Sequence, residues 1–147
     1  MKKIVIFDID GTIANVEHRR TWLQLSPPDW ERFHAEMGDD IPNPAIVELY
    51  KLLWKTDQYE MVLTSGRFER SRRLTETWLT WNEIPFGRIY MRGDDDGRAD
   101  HLVKEEMLRQ ILADQREIAF AVDDRDQVVS MWRRNGVTCL QCAYGDF

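Results

Sequence analysis

Two pairs of aspartates in this chain stand directly after short apolar runs. Asp8 and Asp10 follow the run KIVIF, and Asp123 and Asp124 follow the run IAFAV. Four carboxylates that meet at one site cannot all stay ionised without a cation, because like charges raise one another's pKa. Carboxylate oxygens are hard donors, which favour Mg²⁺ over zinc. The two pairs therefore predict a magnesium site, provided that the fold brings both runs together.

A divalent cation beside an aspartate indicates phosphoryl transfer. Hydrolysis of a phosphate monoester needs an acceleration of up to about 10²¹-fold, and general acid–base catalysis supplies only about 10²- to 10⁴-fold. We therefore expect Asp8 to attack phosphorus and form an aspartyl-phosphate. Asp10 would protonate the leaving oxygen and later activate water. Gly11 permits a sharp turn that aims backbone amides at the phosphoryl group, and Thr12 stands in the same turn as a substrate contact.

Two further segments complete the predicted site. The run EMVLT leads into Ser65 and Gly66, whose hydroxyl and amide can hold a phosphoryl oxygen. Thr64 is a competing hydroxyl donor at the same place. Lys104 lies in the first turns of a predicted helix, where it can neutralise the charge that the nucleophile shares with the phosphate.

The elements that must position these groups alternate along the chain, which predicts an α/β fold. Five parallel strands are predicted at residues 3–7, 60–64, 88–91, 118–122 and 137–141, and helices from residue 44 onward and at 68–81, 100–113 and 126–134. We expect a doubly wound, Rossmann-like sheet in the order 3-2-1-4-5, with the ligand at the carboxyl ends of the strands. Residues from about 13 to 41 do not fit the alternation and predict a small cap-like insertion after the first strand, with a helix at 29–37.

Composition limits the class of protein. The 147 residues, 43% of them hydrophobic and 31% charged, suit one globular domain spanning residues 1–147. No apolar run approaches the roughly 18 residues of a membrane span, and Asp8 comes too early for a secretory signal. A net charge of −6 argues against general binding of polyanions. Two cysteines cannot form a disulfide framework, so we expect a cytoplasmic protein.

The motif order resembles that of the haloacid dehalogenase superfamily of phosphohydrolases. D-x-D-G-T after the first strand, a serine after the second, a downstream lysine and a D-D pair follow one another here as they do there. The resemblance implies that Asp8 is the nucleophile and Asp10 the general acid/base. It also implies Mg²⁺ ligation by Asp8, the Asp10 carbonyl and Asp123, with Asp124 as a ligand or an anchor of the ligands.

A closer resemblance extends over nearly the whole chain. The segments VDDRDQVVSMWRRNGVTC, GDF, TSGR and VKEE are similar to the 3′-phosphatase domain of phage polynucleotide kinases, an end-healing domain that removes 3′-phosphates and, in the family, 2′,3′-cyclic phosphates from nucleic acids. The positions that match the family's phosphate-contact or site-organising residues are Arg19, Arg67, Arg92, Arg98 and Asp100.

This resemblance implies nucleic-acid 3′-phosphate ends, or nucleotides, as substrates. It also implies a functional link to a separate kinase and ligase and, for a phage protein, a location in the host cytoplasm. The similarity runs to Phe147, so we expect the chain to end there. No G-x-x-x-x-G-K-[ST] motif occurs, which predicts that 5′-kinase activity is absent.

Two other functions fit part of the pattern. A mononucleotide or small-molecule phosphatase would use the same groups. A receiver-type phosphoacceptor module also combines Asp, Ser or Thr, Lys and Mg²⁺, but its phosphoacceptor follows a central strand and its acidic pair follows the first. Such a module needs a long-lived acyl-phosphate and has no use for Asp10 as a leaving-group acid. The motif order therefore favours the phosphatase.

Some motifs have a simpler structural interpretation. We expect Asp126 to cap the helix that follows the second acidic pair. Cys139 and Cys142 lie on a predicted terminal strand with no second ligand pair, so neither a redox site nor a zinc site is expected. Trp22 and Trp30 could stack on bases, but aromatic residues in a small insertion more often form its own interior.

Overall fold

A computed structural model describes all residues from 1 to 147 as alternating strands and helices. The strands are β1 (Lys3–Asp8), β2 (Ala14–Asn15), β3 (Ile41–Pro42), β4 (Tyr59–Phe68), β5 (Ile89–Arg92), β6 (Ile118–Asp123) and β7 (Cys139–Gln141). The helices are α1 (Glu17–Arg20), α2 (Trp30–Ala35), α3 (Pro44–Thr56), α4 (Arg72–Trp81), α5 (Asp100–Ala113) and α6 (Asp126–Arg134). None of these helices has the length and apolar character that crossing a bilayer requires.

The central sheet has five strands in the order β5-β4-β1-β6-β7. All four neighbouring pairs are parallel. This order is the predicted 3-2-1-4-5 arrangement, which the structure confirms. The order reverses at β1, because the chain passes from β1 to β4 and β5 on one side and then crosses over to β6 and β7 on the other side. The carboxyl ends of β1, β4 and β6 therefore lie side by side, and a ligand site is expected there.

Helices cover both faces of the sheet, as a parallel sheet requires. Successive side chains of β1 point to opposite faces: Val5 and Phe7 belong to one buried cluster, and Ile4 and Ile6 to the other. The first cluster includes residues of α3 and α4, and the second includes residues of α5 and α6. Packing on both faces fixes the position of β1, so the residues at its carboxyl end are held firmly.

The insertion lies between β1 and α3. Its two ends pair as a short antiparallel ribbon, in which Ala14 lies opposite Pro42 and Asn15 opposite Ile41. Between them, α1 and α2 are joined by 3₁₀ turns, and Phe33 and Met37 are buried. The helix predicted at 29–37 is observed as Trp30–Ala35, followed by a 3₁₀ turn.

Two local predictions were wrong. The second strand continues to Phe68, past the predicted end at residue 64, and the next helix begins at Arg72 after a 3₁₀ turn. The pairing of β4 with β5 is irregular between Thr64 and Phe68, so the polar segment stays extended without a regular ladder. Asp126 is the first residue of α6 and not its cap; its carboxylate instead accepts a hydrogen bond from Gln141 at 2.6 Å.

Candidate active site

Three buried carboxylates meet where β1 and β6 end. Asp8 is the last residue of β1, Asp123 is the last residue of β6, and Asp124 follows it. One oxygen from each lies within 4.8 Å of the others, and all three residues are at most 4% exposed. The fold thus brings both predicted aspartate pairs to one edge of the sheet.

Lys104 bridges two of these carboxylates. Its Nζ donates to Asp8 Oδ1 at 2.6 Å and to Asp123 Oδ2 at 2.9 Å. Burial opposes the charge of Lys104, but Asp123 and Asp8 outweigh it and raise the pKa of its ammonium group well above the usual value. The indole of Trp132 also donates to Asp123 Oδ2, at 3.3 Å. Lys104 is therefore held as a cation between the predicted nucleophile and a predicted metal ligand.

The carboxyl cluster holds more negative charge than Lys104 neutralises. Burial and the neighbouring Asp123 raise the pKa of Asp8 well above its usual value, although Lys104 opposes this. Burial and Asp123 likewise raise the pKa of Asp124 to about 6. Three ionised carboxylates and one ammonium leave two negative charges, and all the donors are hard oxygens. This donor set fits a divalent cation such as Mg²⁺.

The turn after β1 closes tightly over the cluster. Thr12 Oγ1 donates to Asp8 Oδ2 at 2.9 Å and lies 3.5 Å from Asp124 Oδ1. Gly11 has a φ of +84°, and a Cβ at this position would lie 2.2 Å from Asp124 Oδ2. Only glycine meets both conditions without displacing a carboxylate. The hydrogen bond from Thr12 orients the carboxylate of Asp8, the predicted nucleophile.

Asp10 lies beside the cluster and is paired with two arginines. Its Oδ1 accepts from Arg67 Nη2 at 2.6 Å, from Arg67 Nε at 3.0 Å and from Arg19 Nη2 at 2.9 Å. Burial alone would raise the pKa of Asp10, but the charges of Arg67 and Arg19 outweigh it and lower the pKa to about 2. Arg67 and Arg19 are both almost completely buried. The structure therefore brings two of the predicted phosphate contacts together around Asp10.

Asp40, which sequence reasoning missed, links these two arginines. Arg19 donates to Asp40 through Nε and Nη2, each at 2.8 Å, and Arg67 Nη2 donates to it at 3.2 Å. His18 Nε2 lies 2.6 Å from the same carboxylate. The indole of Trp78 donates to the Asp40 carbonyl at 2.8 Å. No motif in the sequence marks Asp40, because its partners lie in three distant segments of the chain.

The polar end of β4 contributes a second group of contacts. Ser65 is fully buried, and its hydroxyl accepts from the Arg67 amide at 3.1 Å. Thr64 Oγ1 is also buried but has no hydrogen-bond partner. Thr64 is thus the unsatisfied hydroxyl of this pair, whereas the Ser65 hydroxyl binds the backbone of the extended segment that follows it.

Arg92 and Asp100 support Gly66. Arg92 Nε donates to the Gly66 carbonyl at 2.9 Å, and its Nη2 lies 3.4 Å from Asp100 Oδ1. A Cβ at Gly66 would lie 2.3 Å from the same Asp100 oxygen. Arg98, in contrast, pairs with Asp96 and Glu106 on the surface. Of the predicted substrate contacts, Arg98 is the one whose guanidinium the structure does not bring to the site.

The fold and this constellation define the protein as a hydrolase of the haloacid dehalogenase type. A haloacid dehalogenase-like hydrolase, SP0104 from Streptococcus pneumoniae, has the same fold, with a TM-score of 0.66 at 16% sequence identity over 95% of this chain and 84% of that chain. The model of one family, described as the polynucleotide kinase PNKP phosphatase domain, matches residues 2–147. The chain belongs to this family, which confirms both resemblances found in the sequence.

Two solved structures are similar over the whole chain. A chain of the Pnkp1/Rnl/Hen1 RNA repair complex matches with a TM-score of 0.85 and 31% identity, over 100% of this chain and 44% of that one. A second structure of the Pnkp1/Rnl/Hen1 complex matches with the same TM-score and identity, over 48% of its chain. The present chain therefore spans less than half the length of these two proteins.

Proposed function

We propose that this phosphatase domain is a Mg²⁺-dependent polynucleotide 3′-phosphatase that works through an aspartyl-phosphate on Asp8. The observation that carries the proposal is the buried contact of Lys104 with Asp8 and Asp123, beside an Asp10 that two arginines hold in place. Family membership over residues 2–147 supports the same chemistry. No kinase step is included, because the 147 residues contain no phosphate-binding P-loop sequence.

In the first step an oxygen of Asp8 attacks phosphorus, and the bond from phosphorus to the sugar 3′-oxygen breaks. Lys104 holds the attacking carboxylate in position and offsets its charge as the phosphate approaches. Asp10 donates the proton that the leaving oxygen needs. A bound phosphate shares the guanidinium groups of Arg67 and Arg19 with Asp10 and adds negative charge beside it, and both effects favour the protonated form of Asp10.

In the second step water attacks the phosphorus of the aspartyl-phosphate and the bond to Asp8 breaks. Asp10, now ionised, accepts the proton from that water, and its pairing with Arg67 stabilises the ionised form. Asp8, Asp123, Asp124 and the Asp10 carbonyl would hold Mg²⁺, which would neutralise phosphoryl oxygens throughout. The products are a 3′-hydroxyl end and inorganic phosphate.

The proposed partners are nucleic-acid ends, together with a separate kinase and ligase that act on the same ends. The solved relatives belong to a complex whose name describes RNA repair, which supports RNA ends as one substrate. An acidic protein with a net charge of −6 can act on such ends when a local group of arginines contacts only the terminal nucleotides.

A substrate panel with Mg²⁺ tests this function. Oligonucleotides of DNA and RNA with 3′-phosphate, 2′,3′-cyclic and 5′-phosphate ends are compared with 3′- and 5′-mononucleotides, using release of inorganic phosphate as the measurement. We expect kcat/KM to be highest on 3′-phosphorylated oligonucleotides, with turnover absent in Asp8→Asn and unchanged in Asp95→Asn, a substitution in an exposed loop. Preference for mononucleotides would overturn the polynucleotide assignment, and full activity of Asp8→Asn would overturn the mechanism.

A further inference from the structure

A row of aromatic rings runs from the insertion to the end of β4. Trp30 stacks on His34 with ring centroids 6.0 Å apart and an interplanar angle of 26°. His34 in turn meets the edge of Phe68 at 5.7 Å. We name Trp30, His34 and Phe68 the aromatic wall. It joins α2 to the strand that carries the polar segment of the site.

The aromatic wall stands beside Asp10 and its arginines. Phe68 directly follows Arg67, whose guanidinium binds Asp10. Next to His34, the carbonyl of Phe33 accepts from Arg19 Nη1 at 3.1 Å, and Arg19 is the second arginine on Asp10. Phe68 and His34 thus each directly follow a residue that is, or that binds, one of the two arginines on Asp10.

Trp30 is only partly packed into the interior of the insertion. Phe33 and Met37 fill that interior and are 9% and 1% exposed, whereas Trp30 is 53% exposed. The Trp30 indole meets the edge of the Phe33 ring at 5.8 Å, so it does contribute to the insertion's own interior. The half of the indole that stays in water forgoes the hydrophobic free energy that full burial would give, and this half is open to a ligand.

Arginines flank the wall on the β4 side. Arg70 lies over the Phe68 ring, 4.1 Å from its centroid, and its side chain is 60% exposed. The Arg92 guanidinium lies 5.7 Å from the same ring. Aromatic faces interleaved with guanidinium groups match the chemistry of single-stranded nucleic acid, in which bases offer π-faces and the backbone offers phosphates.

We propose that the aromatic wall binds the base of the nucleotide that carries the 3′-phosphate, and that Arg70 contacts the next phosphate of the strand. This inference rests on the proposed function and names the residues that would select its substrate. The wall then distinguishes nucleic-acid ends from other phosphate monoesters. Recognition by stacking tolerates any base, because every base has a π-face.

The test compares Trp30→Ala and Phe68→Leu with Trp81→Ala, which removes a tryptophan that is 85% exposed on α4. Each protein is assayed with Mg²⁺ on a 3′-phosphorylated oligonucleotide, on the same oligonucleotide with an abasic 3′-terminal nucleotide, and on p-nitrophenyl phosphate. Binding is measured separately by anisotropy of a labelled 3′-phosphorylated oligonucleotide with Asp8→Asn, with and without Trp30→Ala.

We expect Trp30→Ala to lower kcat/KM on the intact oligonucleotide by about 10- to 100-fold, mainly through KM. The abasic substrate should show a similar loss with the unmodified protein and no further loss with Trp30→Ala. Hydrolysis of p-nitrophenyl phosphate should stay unchanged, and Trp81→Ala should behave as the unmodified protein on all three substrates.

Two results would overturn the stacking role. One is unchanged oligonucleotide kinetics and anisotropy in both wall variants, and the other is an equal loss on p-nitrophenyl phosphate, which would mean a general disturbance of the site. Failure of the proposed function gives a different pattern: the unmodified protein would hydrolyse p-nitrophenyl phosphate but leave every 3′-phosphorylated oligonucleotide intact. In that case the labelled oligonucleotide would bind Asp8→Asn weakly. If Trp30→Ala then left this binding unchanged, the stacking role would be overturned as well.

Discussion

Arg19 and Asp40 form a two-point ion pair from which water is excluded. Nε and Nη2 of the arginine each lie 2.8 Å from a carboxylate oxygen, and both side chains are 0% exposed. The pair matters for chemistry because the same Nη2 also binds Asp10. Asp40 is thus a positioning residue, which fixes the arginines that face the predicted acid/base.

Removal of the Asp40 charge should therefore destabilise the protein. Asp40→Asn leaves Arg19 and Arg67 sharing Asp10 as their one remaining carboxylate partner, and we expect the free energy of unfolding to fall by about 3 kcal/mol. Asp29→Asn is the matched control: Asp29 also pairs with an arginine, but on the surface, and asparagine still caps α2, so a loss below about 1 kcal/mol is expected. Urea denaturation measures both. If the free energy of unfolding fell equally in the two variants, the buried Asp40 ion pair would contribute no more to stability than the surface pair of Asp29.

Mg²⁺ should stabilise the protein through the three clustered carboxylates. At a concentration 100 times the Kd, the ion adds about 2.7 kcal/mol to the free energy of unfolding, or roughly 5 to 10 °C in Tm for a domain of this size. We expect Asp123→Asn to lose this shift and Asp95→Asn to keep it. Thermal denaturation with Mg²⁺ and with a chelator gives the comparison. An undiminished shift in the Tm of Asp123→Asn would show that Mg²⁺ binds elsewhere.

The two cysteines should react slowly in the folded protein. Burial raises the pKa of Cys142 to about 11 and that of Cys139 to about 12, compared with about 8.5 for a free thiol. A raised thiol pKa lowers the thiolate fraction at every pH below it, so alkylation at pH 8 should be at least about a hundredfold slower than in urea. Mass spectrometry after timed alkylation measures the rates. Fast labelling of the native protein, or uptake of zinc, would contradict the purely structural role expected for this pair.

Binding of oligonucleotide ends should depend weakly on salt. The arginines at the site are few, and the whole protein is acidic with a net charge of −6. A contact with one or two phosphates predicts a loss of affinity of about tenfold or less between about 50 and 200 mM salt. Anisotropy of a 3′-phosphorylated oligonucleotide with Asp8→Asn tests this. A loss of about a thousandfold would instead indicate a long basic track along the strand.

The central sheet could be predicted because each buried parallel strand appears as an apolar run. The end of β4 could not, since Ser65, Gly66 and Arg67 are polar or small while the backbone stays extended beside the site. The burial of Arg67 depends on Asp10 and Thr75, which accept hydrogen bonds from its guanidinium group. Apolar periodicity carries no information about such polar contacts.

The acidic site was predictable to a similar degree. Asp8 and Asp123 stand at strand ends and Lys104 is the fifth residue of α5, so their order in the chain suffices to place them. Asp40 lies in an irregular segment of the insertion, where nothing in the sequence separates it from its exposed neighbour Asp39. Arg92 and Arg98 were both predicted as substrate contacts from similarity to the family, and only the fold shows that Arg92 reaches Gly66 whereas Arg98 pairs on the surface.

The Asp40–Arg67 ion pair and the hydrogen bond from the Trp78 indole to the Asp40 carbonyl tie the insertion to β4 and to α4. Two such attachments restrict a hinge motion of the insertion relative to the sheet. Arg19, which the insertion carries, is then already in place beside Asp10 before a substrate binds. For the proposed phosphatase, no separate closing step is needed to assemble this part of the site.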